Sequence, residues 1–219
     1  MTWLVIVAAV ALFASPLTTA LPAARTVTEI VQTLSDQTQV PNLVSGVILH
    51  ARLFDTISEV VVFTLAALGV RYLLAGEPTR RQIRALEDPP SVVLCELGAT
   101  ISGLIAVELA LRGHLTPGGG FAAGVAGGTG VGLLLISGGA NRAEQLYRRY
   151  RADLIEKLAV LGFIVVAFLL LNNLDLPPGE SGTMLSGGWI PVLNGLVTIK
   201  VTLGSWAMVQ LFVRYRGVL

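Results

Sequence analysis

The chain has 219 residues, 53% hydrophobic and only 13% charged, with a formal net charge of +1 and a mean hydropathy of +0.74. Soluble domains carry about 25% charged residues, so this composition excludes a water-covered globule, and the near-zero charge excludes nucleic acid as a partner. Its one cysteine, Cys95, excludes an internal disulfide and an iron–sulfur cluster held by the cysteines of this chain alone.

The expectation is therefore an all-α, multi-pass protein of the cell (inner) membrane with about six spans, each near the ~18–20 residues that cross a bilayer. Thr2–Leu21 comes first. Leu4–Ala14 with small residues behind it also resembles a signal peptide, but no positive charge precedes it, which favours a retained helix. Asn42–Leu49 is too short to span and is expected as an interfacial or broken half-helix. Phe54–Leu74, Ser91–Leu111, Phe121–Gly139, Leu154–Leu174 and Ile190–Val213 follow. Turn formers separate them at Pro78, Pro89-Pro90, Pro117-Gly118 and Pro177-Pro178-Gly179.

Lys and Arg concentrate on the cytoplasmic side of membrane proteins. With both termini cytoplasmic, 11 of the 15 basic residues fall on that face, including Arg80, Arg81, Arg84, Arg148, Arg149 and Arg151. Arg25, Arg52 and Arg112 fall on the other, and Lys200 lies inside a span. The loop 141–157, rich in arginine, is expected to be cytoplasmic and partly helical.

Acids inside spans cost roughly 2.5–3.5 kcal/mol each at mid-helix on insertion scales. Asp55 and Glu59, spaced i, i+4, share one helix face with Glu59 the deeper, although Asp55 is also a candidate helix cap. Glu96 lies in the cytoplasmic half of the third span. Glu108 sits near its other end, where Arg112 at i+4 is positioned to neutralise it. Near the span boundaries, Glu108 and Glu156 are expected to form ion pairs that fix helix register. Lys200, about ten residues into the last span, is too deep to reach either surface and demands a carboxylate partner or water.

The segment HLTPGGGFAAGVAGGTGVG begins at His114. A phosphate loop of the GxxxxGK[ST] kind needs a lysine, and none is near. A dinucleotide fingerprint needs a strand and a soluble βαβ unit. What remains is Gly120, Gly124, Gly128 and Gly132, three GxxxG steps that let another helix approach at backbone distance. Pro117 suits a helix start. The free N–H groups of Gly118, Gly119 and Gly120 are placed to hold an anion or a neighbouring carbonyl. His50 and His114 lie far apart, and no Cys/His spacing argues for a metal.

GHLTPGGGF and its glycine-rich helix, with GWIPVLNGLVTIKVTLG downstream, resemble the B-type component (MnhB/MrpB) of Mrp-type multisubunit Na⁺/H⁺ antiporters over roughly 90–219. Upstream, NLVSGVILHARLFDTISEVVVFTLAALGV is similar to the C-terminal end of the large A-type component of those antiporters and to the E-type component of membrane-bound hydrogenases. The resemblance implies two parts, 1–89 and 90–219, fused in one chain. It implies membership of a multisubunit complex that exchanges Na⁺, or another monovalent cation, for H⁺, with no cofactor of its own and other membrane subunits as partners. An Mrp-related redox-driven complex, such as a membrane-bound hydrogenase, is the alternative. By the family pattern, Asp55 and Glu59 match the FDTxxE acids, the stretch Pro117, Gly118, Gly119, Gly120, Phe121 the loop, and Lys200 the lysine of the last helix. Glu96 and Glu108 join the candidate ion pathway, and no residue is a candidate for catalysis.

Overall fold

The computed structural model describes residues 26–78, 86 and 88–216, so the first expected span, Thr2–Leu21, lies outside the described residues. The chain divides into two units, 1–33 and 34–219. Helix α1 (Val27–Thr38) begins in the first and ends in the second, and it opens with a reciprocal cap. The Glu29 carboxylate accepts from the Thr26 N–H (3.0 Å) and the Thr26 hydroxyl from the Glu29 N–H (3.3 Å). Two orphan N–H groups of the first turn are thereby satisfied.

The second unit holds α2 (Leu43–Gly46), α3 (Leu53–Leu74), α4 (Pro89–Arg112), α5 (Gly120–Leu134), α6 (Ala140–Arg149), α7 (Ala152–Leu171) and α8 (Ile190–Arg216). Among the described residues, α3, α4, α5 with its continuation to Gly138, α7 and α8 are long and apolar enough to cross a membrane. They coincide with the last five expected spans. The half-helix is broken as expected: α2 widens into a π-turn over Val47–Ala51 and stops at Arg52, whose backbone is not helical. The Thr56 hydroxyl donates to the Ile48 carbonyl (2.9 Å) and so satisfies an acceptor that the break leaves open.

Local chemistry sets the helix ends. Asp88 caps α4, its carboxylate accepting from the Ser91 N–H (3.1 Å), with prolines in the first positions where a missing N–H costs nothing. Asp55 does not cap α3. It lies in the first turn and pairs with Arg52 three residues before it. The arginine-rich loop is helical as α6, and a left-handed Arg151 (φ 47°) turns the chain into α7.

Helix α5 is the centre of the packing. Its contacts with α8 advance in step, Gly120 with Val197, Gly124 with Val201 and Gly128 with Ser205, so the two helices run parallel. A Cβ on Gly120 would lie 2.7 Å from the Val197 Cβ and one on Gly128 2.7 Å from the Ser205 Cβ; one on Gly124 would strike Val201. The other face of α5 meets α4 antiparallel, where a Cβ on Gly130 would lie 3.0 Å from the Ala99 carbonyl. Gly132 corrects the expected ridge: nothing stands within 4 Å of its Cβ position. Each four-residue step turns the helix about 40° past a full circle, so by Gly132 the row has rotated about 120° away from Gly120. Gly127, facing Thr202, takes over part of the contact.

Candidate ion-path site

Two polar centres lie along one helix pair, α3 and α8, which also run parallel. The first is at the end where α4 turns into α5. The Asn42 side-chain amide donates to the carbonyls of Gly113 (2.8 Å) and Thr116 (2.9 Å), and the Ser45 hydroxyl donates to Gly113 (2.6 Å). The Asn42 N–H donates to the His114 carbonyl (3.2 Å). From the other side, the Asn194 side-chain carbonyl accepts the Gly120 N–H (2.9 Å). The free N–H at this helix start therefore holds a neighbouring carbonyl. Gly119 leads into it at φ 122°, a conformation that a side chain would strain. A Cβ on Gly118 would lie 2.7 Å from Leu109, and Pro117 sits ahead of it in the turn.

A cavity of about 340 Å³ lies between the half-helix and this loop. Ser45, Thr56, Glu59, the backbone of Gly118, Gly119 and Gly120, Phe121 and Asn194 line it. Glu59 is exposed and makes no ion pair among the described residues. It supplies the cavity's carboxylate; hydroxyl, amide and backbone groups supply the rest.

His114 is fully buried in the same turn, and neither ring nitrogen completes a hydrogen bond. Burial pushes its pKa below the ordinary 6.5, while the backbone of Thr183 and Met184 pulls the other way. The ring is neutral where it sits. The Asn194 side-chain nitrogen, packed against Gly113, is likewise buried without a partner.

The second centre is Lys200. It is 3% exposed and forms an ion pair with Glu156 of α7, itself 17% exposed. The Lys200 ammonium lies 5.4 Å from the Phe63 ring centroid, near enough for a cation–π contact. Gly204, one turn on, makes the space: a Cβ there would lie 2.6 Å from Phe63 and 3.3 Å from the Glu156 carboxylate. Burial of an ion pair is tolerated only with such close geometry, since each charge gives up its solvation.

Of the expected acids, Asp55 and Glu59 share this helix pair with Lys200, and Glu59 is the deeper, one turn above Phe63 on α3. Glu108 pairs with Arg112 (2.9 Å), and Asp55 with Arg52, both at the loop end. Glu96 is exposed on α4, away from both centres. The residues that sequence reasoning did not single out are Asn42, Phe63, Asn194 and Gly204. Asn194 and Gly204 had a signal, an amide and a glycine flanking Lys200 within one apolar span.

The domain model related to the MnhB subunit of Na⁺/H⁺ antiporters matches residues 90–207. A protein of Rhizobium meliloti (strain 1021), described as the probable A/B component of a K⁺/H⁺ antiporter, is 32% identical over 132 residues, covering 49% of this chain and 13% of that protein. An uncharacterised protein of Methanocaldococcus jannaschii is 25% identical over 205 residues, covering 75% of this chain and 74% of its own. Among solved structures, a chain of the membrane-bound sulfane sulfur reductase, an archaeal respiratory membrane complex, superposes with TM-score 0.72 at 22% identity over 97% of both chains. A chain of the Mrp complex from Dietzia sp. DQ12-45-1b gives 0.63 at 20% identity, over 98% of this chain and 26% of that one. The fold thus recurs in multisubunit membrane complexes, and the match over 90–207 decides the family: this multi-pass membrane chain belongs to the MnhB-related antiporter subunits.

Proposed function

We propose that the chain lines part of the ion path of a monovalent cation/proton antiporter of the Mrp type, built into a complex with other membrane subunits. Its N-terminal part, 1–89, is a fused companion to an MnhB-like part, 90–219. The arginine-rich end faces the cytoplasm, in accord with the bias of basic residues. The cavity at Glu59 then opens toward the outer side and receives the cation. Lys200 of α8 and Glu156 of α7, deeper in the span region, change their pairing as protons or cations arrive. The chain carries no catalytic chemistry.

The observation that carries this reading is the Lys200–Glu156 pair inside the apolar span region. Charge at such depth is costly and marks ion pathways. The R. meliloti relative, described as part of a probable K⁺/H⁺ antiporter, supports antiport and leaves the choice between Na⁺ and K⁺ to measurement. A second reading has its own support: the sulfane sulfur reductase chain matches this one end to end, which fits the same module driven by a redox arm. Assembled complexes carrying Glu59→Gln or Lys200→Met test the first reading in vesicles. Loss of cation-dependent proton movement in the complexes that assemble is expected. Unimpaired antiport in both would reduce the chain to a scaffold.

A further inference from the structure

We infer that the arginine-rich end contains a hydrated inlet that delivers protons to Glu156, an inference that rests on the reading of Lys200–Glu156 as part of the ion path. Three buried polar atoms lie together at that end with no hydrogen-bond partner: the Tyr147 hydroxyl, the Trp206 indole nitrogen and the Gln210 side-chain oxygen. Tyr147 meets Trp206 edge-on at 5.3 Å, and Gln210 follows Trp206 by one turn of α8. A buried polar group left without a partner is costly and rare. Three together mark a place that water completes.

The space for that water is present. A cavity of about 300 Å³ contains Tyr147 and Gln210 and is rimmed by Arg148 and Arg214. A second, of about 210 Å³, reaches Lys200 and Glu156. The two share Arg71, Asp153, Ala207 and Leu211, so they adjoin across these residues and together make the proposed passage from the Arg214 rim to the buried pair. Its outer part is polar, and its inner part is a mostly apolar sleeve where Met208 and Val160 join Ala207 and Leu211.

The charged groups around the passage come from every helix that borders it. They are Arg71 of α3, Glu144 and Arg148 of α6, Asp153 and Lys157 of α7, and Arg214 of α8. Several are already paired: Arg148 with Glu144 (2.7 Å), Arg214 with Glu144 (3.7 Å) and Lys157 with Asp153 (3.6 Å). The Tyr147 hydroxyl is pushed up to about 12, first by burial and then by the negative charges of Glu156 and Asp153, with Arg71 opposing. It therefore stays protonated and orients water as a donor. Glu156 is the acceptor. A hydronium at the inner end of the water chain gives its proton to the Glu156 carboxylate, leaving water and a neutral carboxyl beside a Lys200 that has lost its counter-charge. That unbalanced ammonium favours onward release of the proton from Glu156, which restores the carboxylate and the ion pair.

The test uses the assembled complex with Cys95→Ser and Ala207→Cys, treated from the arginine-rich side with a small membrane-impermeant cationic thiol reagent. Labelling at least tenfold faster than at Leu161→Cys, on the exposed face of α7, is expected. Ala207→Trp, which plugs the sleeve, should require about tenfold more protons for half-maximal exchange, a shift of one pH unit, while the complex still assembles. Gln210→Leu should move the same profile in the same direction. Failure to label Ala207→Cys, or labelling only by a lipid-soluble reagent, would show acyl chain or protein in the passage and overturn the inlet. If the inlet fails while Lys200→Met and Glu156→Gln complexes are inactive, the ion-path reading stands without it. If those two complexes transport normally, the ion-path reading itself falls, whatever the labelling shows.

Discussion

Replacing Lys200 with Met keeps the length of the side chain and removes its charge, which isolates the ion pair from packing. Breaking one partner of a buried pair costs about 3–5 kcal/mol, because the charge left behind has lost both water and counter-ion. Glu156 retains 17% exposure, so Lys200→Met falls near the lower figure, about 3 kcal/mol. The converse change, Glu156→Gln, strands an ammonium that is only 3% exposed and belongs near the upper figure, about 5 kcal/mol. The double variant leaves two neutral groups in contact and should recover most of either loss. The assay is thermal unfolding of the purified complex in detergent, followed by tryptophan fluorescence, with subunit retention on gel filtration. Melting of Lys200→Met within a degree of the parent, or a double variant no better than the worse single, would refute the pairing as an energetic unit.

Three further outcomes follow from the same geometry. Gly124→Leu and Gly128→Leu should each lower complex yield severely, since α8 already stands where a Cβ would go, whereas Gly132→Leu should be tolerated; yields on affinity purification decide it. His114 is held neutral, so its contribution is complete above its ordinary value of 6.5 and is lost as pH falls below it, because the unfolded chain then binds the proton more readily. Stability measured from pH 7.5 to pH 5 should decline less in His114→Gln than in the parent, and equal slopes would dismiss the effect. A cysteine at Arg149 should react with an impermeant reagent only from the cytoplasmic side, and labelling from outside would reverse the orientation.

The five spans were legible because span length and apolarity are local properties, readable from any window of about 20 residues. The half-helix was legible for the same reason, its apolar run being too short. The Glu108–Arg112 pair was legible because four residues on a helix are one turn. Lys200 announced that it needed a partner but not which one: Glu156 is 44 residues away, and only the antiparallel return of α7 against α8 brings it there. Asn42 was opaque for a related reason. Its acceptors at Gly113 and Thr116 lie 71 and 74 residues on, and the loop that offers them is shaped by positive-φ glycine backbone rather than by any side-chain pattern. Gly132 misled because a four-residue spacing counts positions and ignores the drift of about 40° per step in the helix itself.

Helix α5, faced with glycine toward both α8 and α4, has mechanical consequences as well as geometric ones. The glycines let the side chains of Val197, Val201, Thr202 and Ser205 seat against the backbone of α5, and the Ala99 carbonyl approaches Gly130, so α4, α5 and α8 pack with little room for one helix to shift alone. Compliance is displaced to the other boundary, where α3 and α7 touch each other far less and border the passage beside Lys200. A small tilt of α3 moves Glu59 and Phe63 together, one turn apart on the same rod. The tight glycine seam thus leaves the boundary between α3 and α7 the looser of the two, at the place where the charged pair sits.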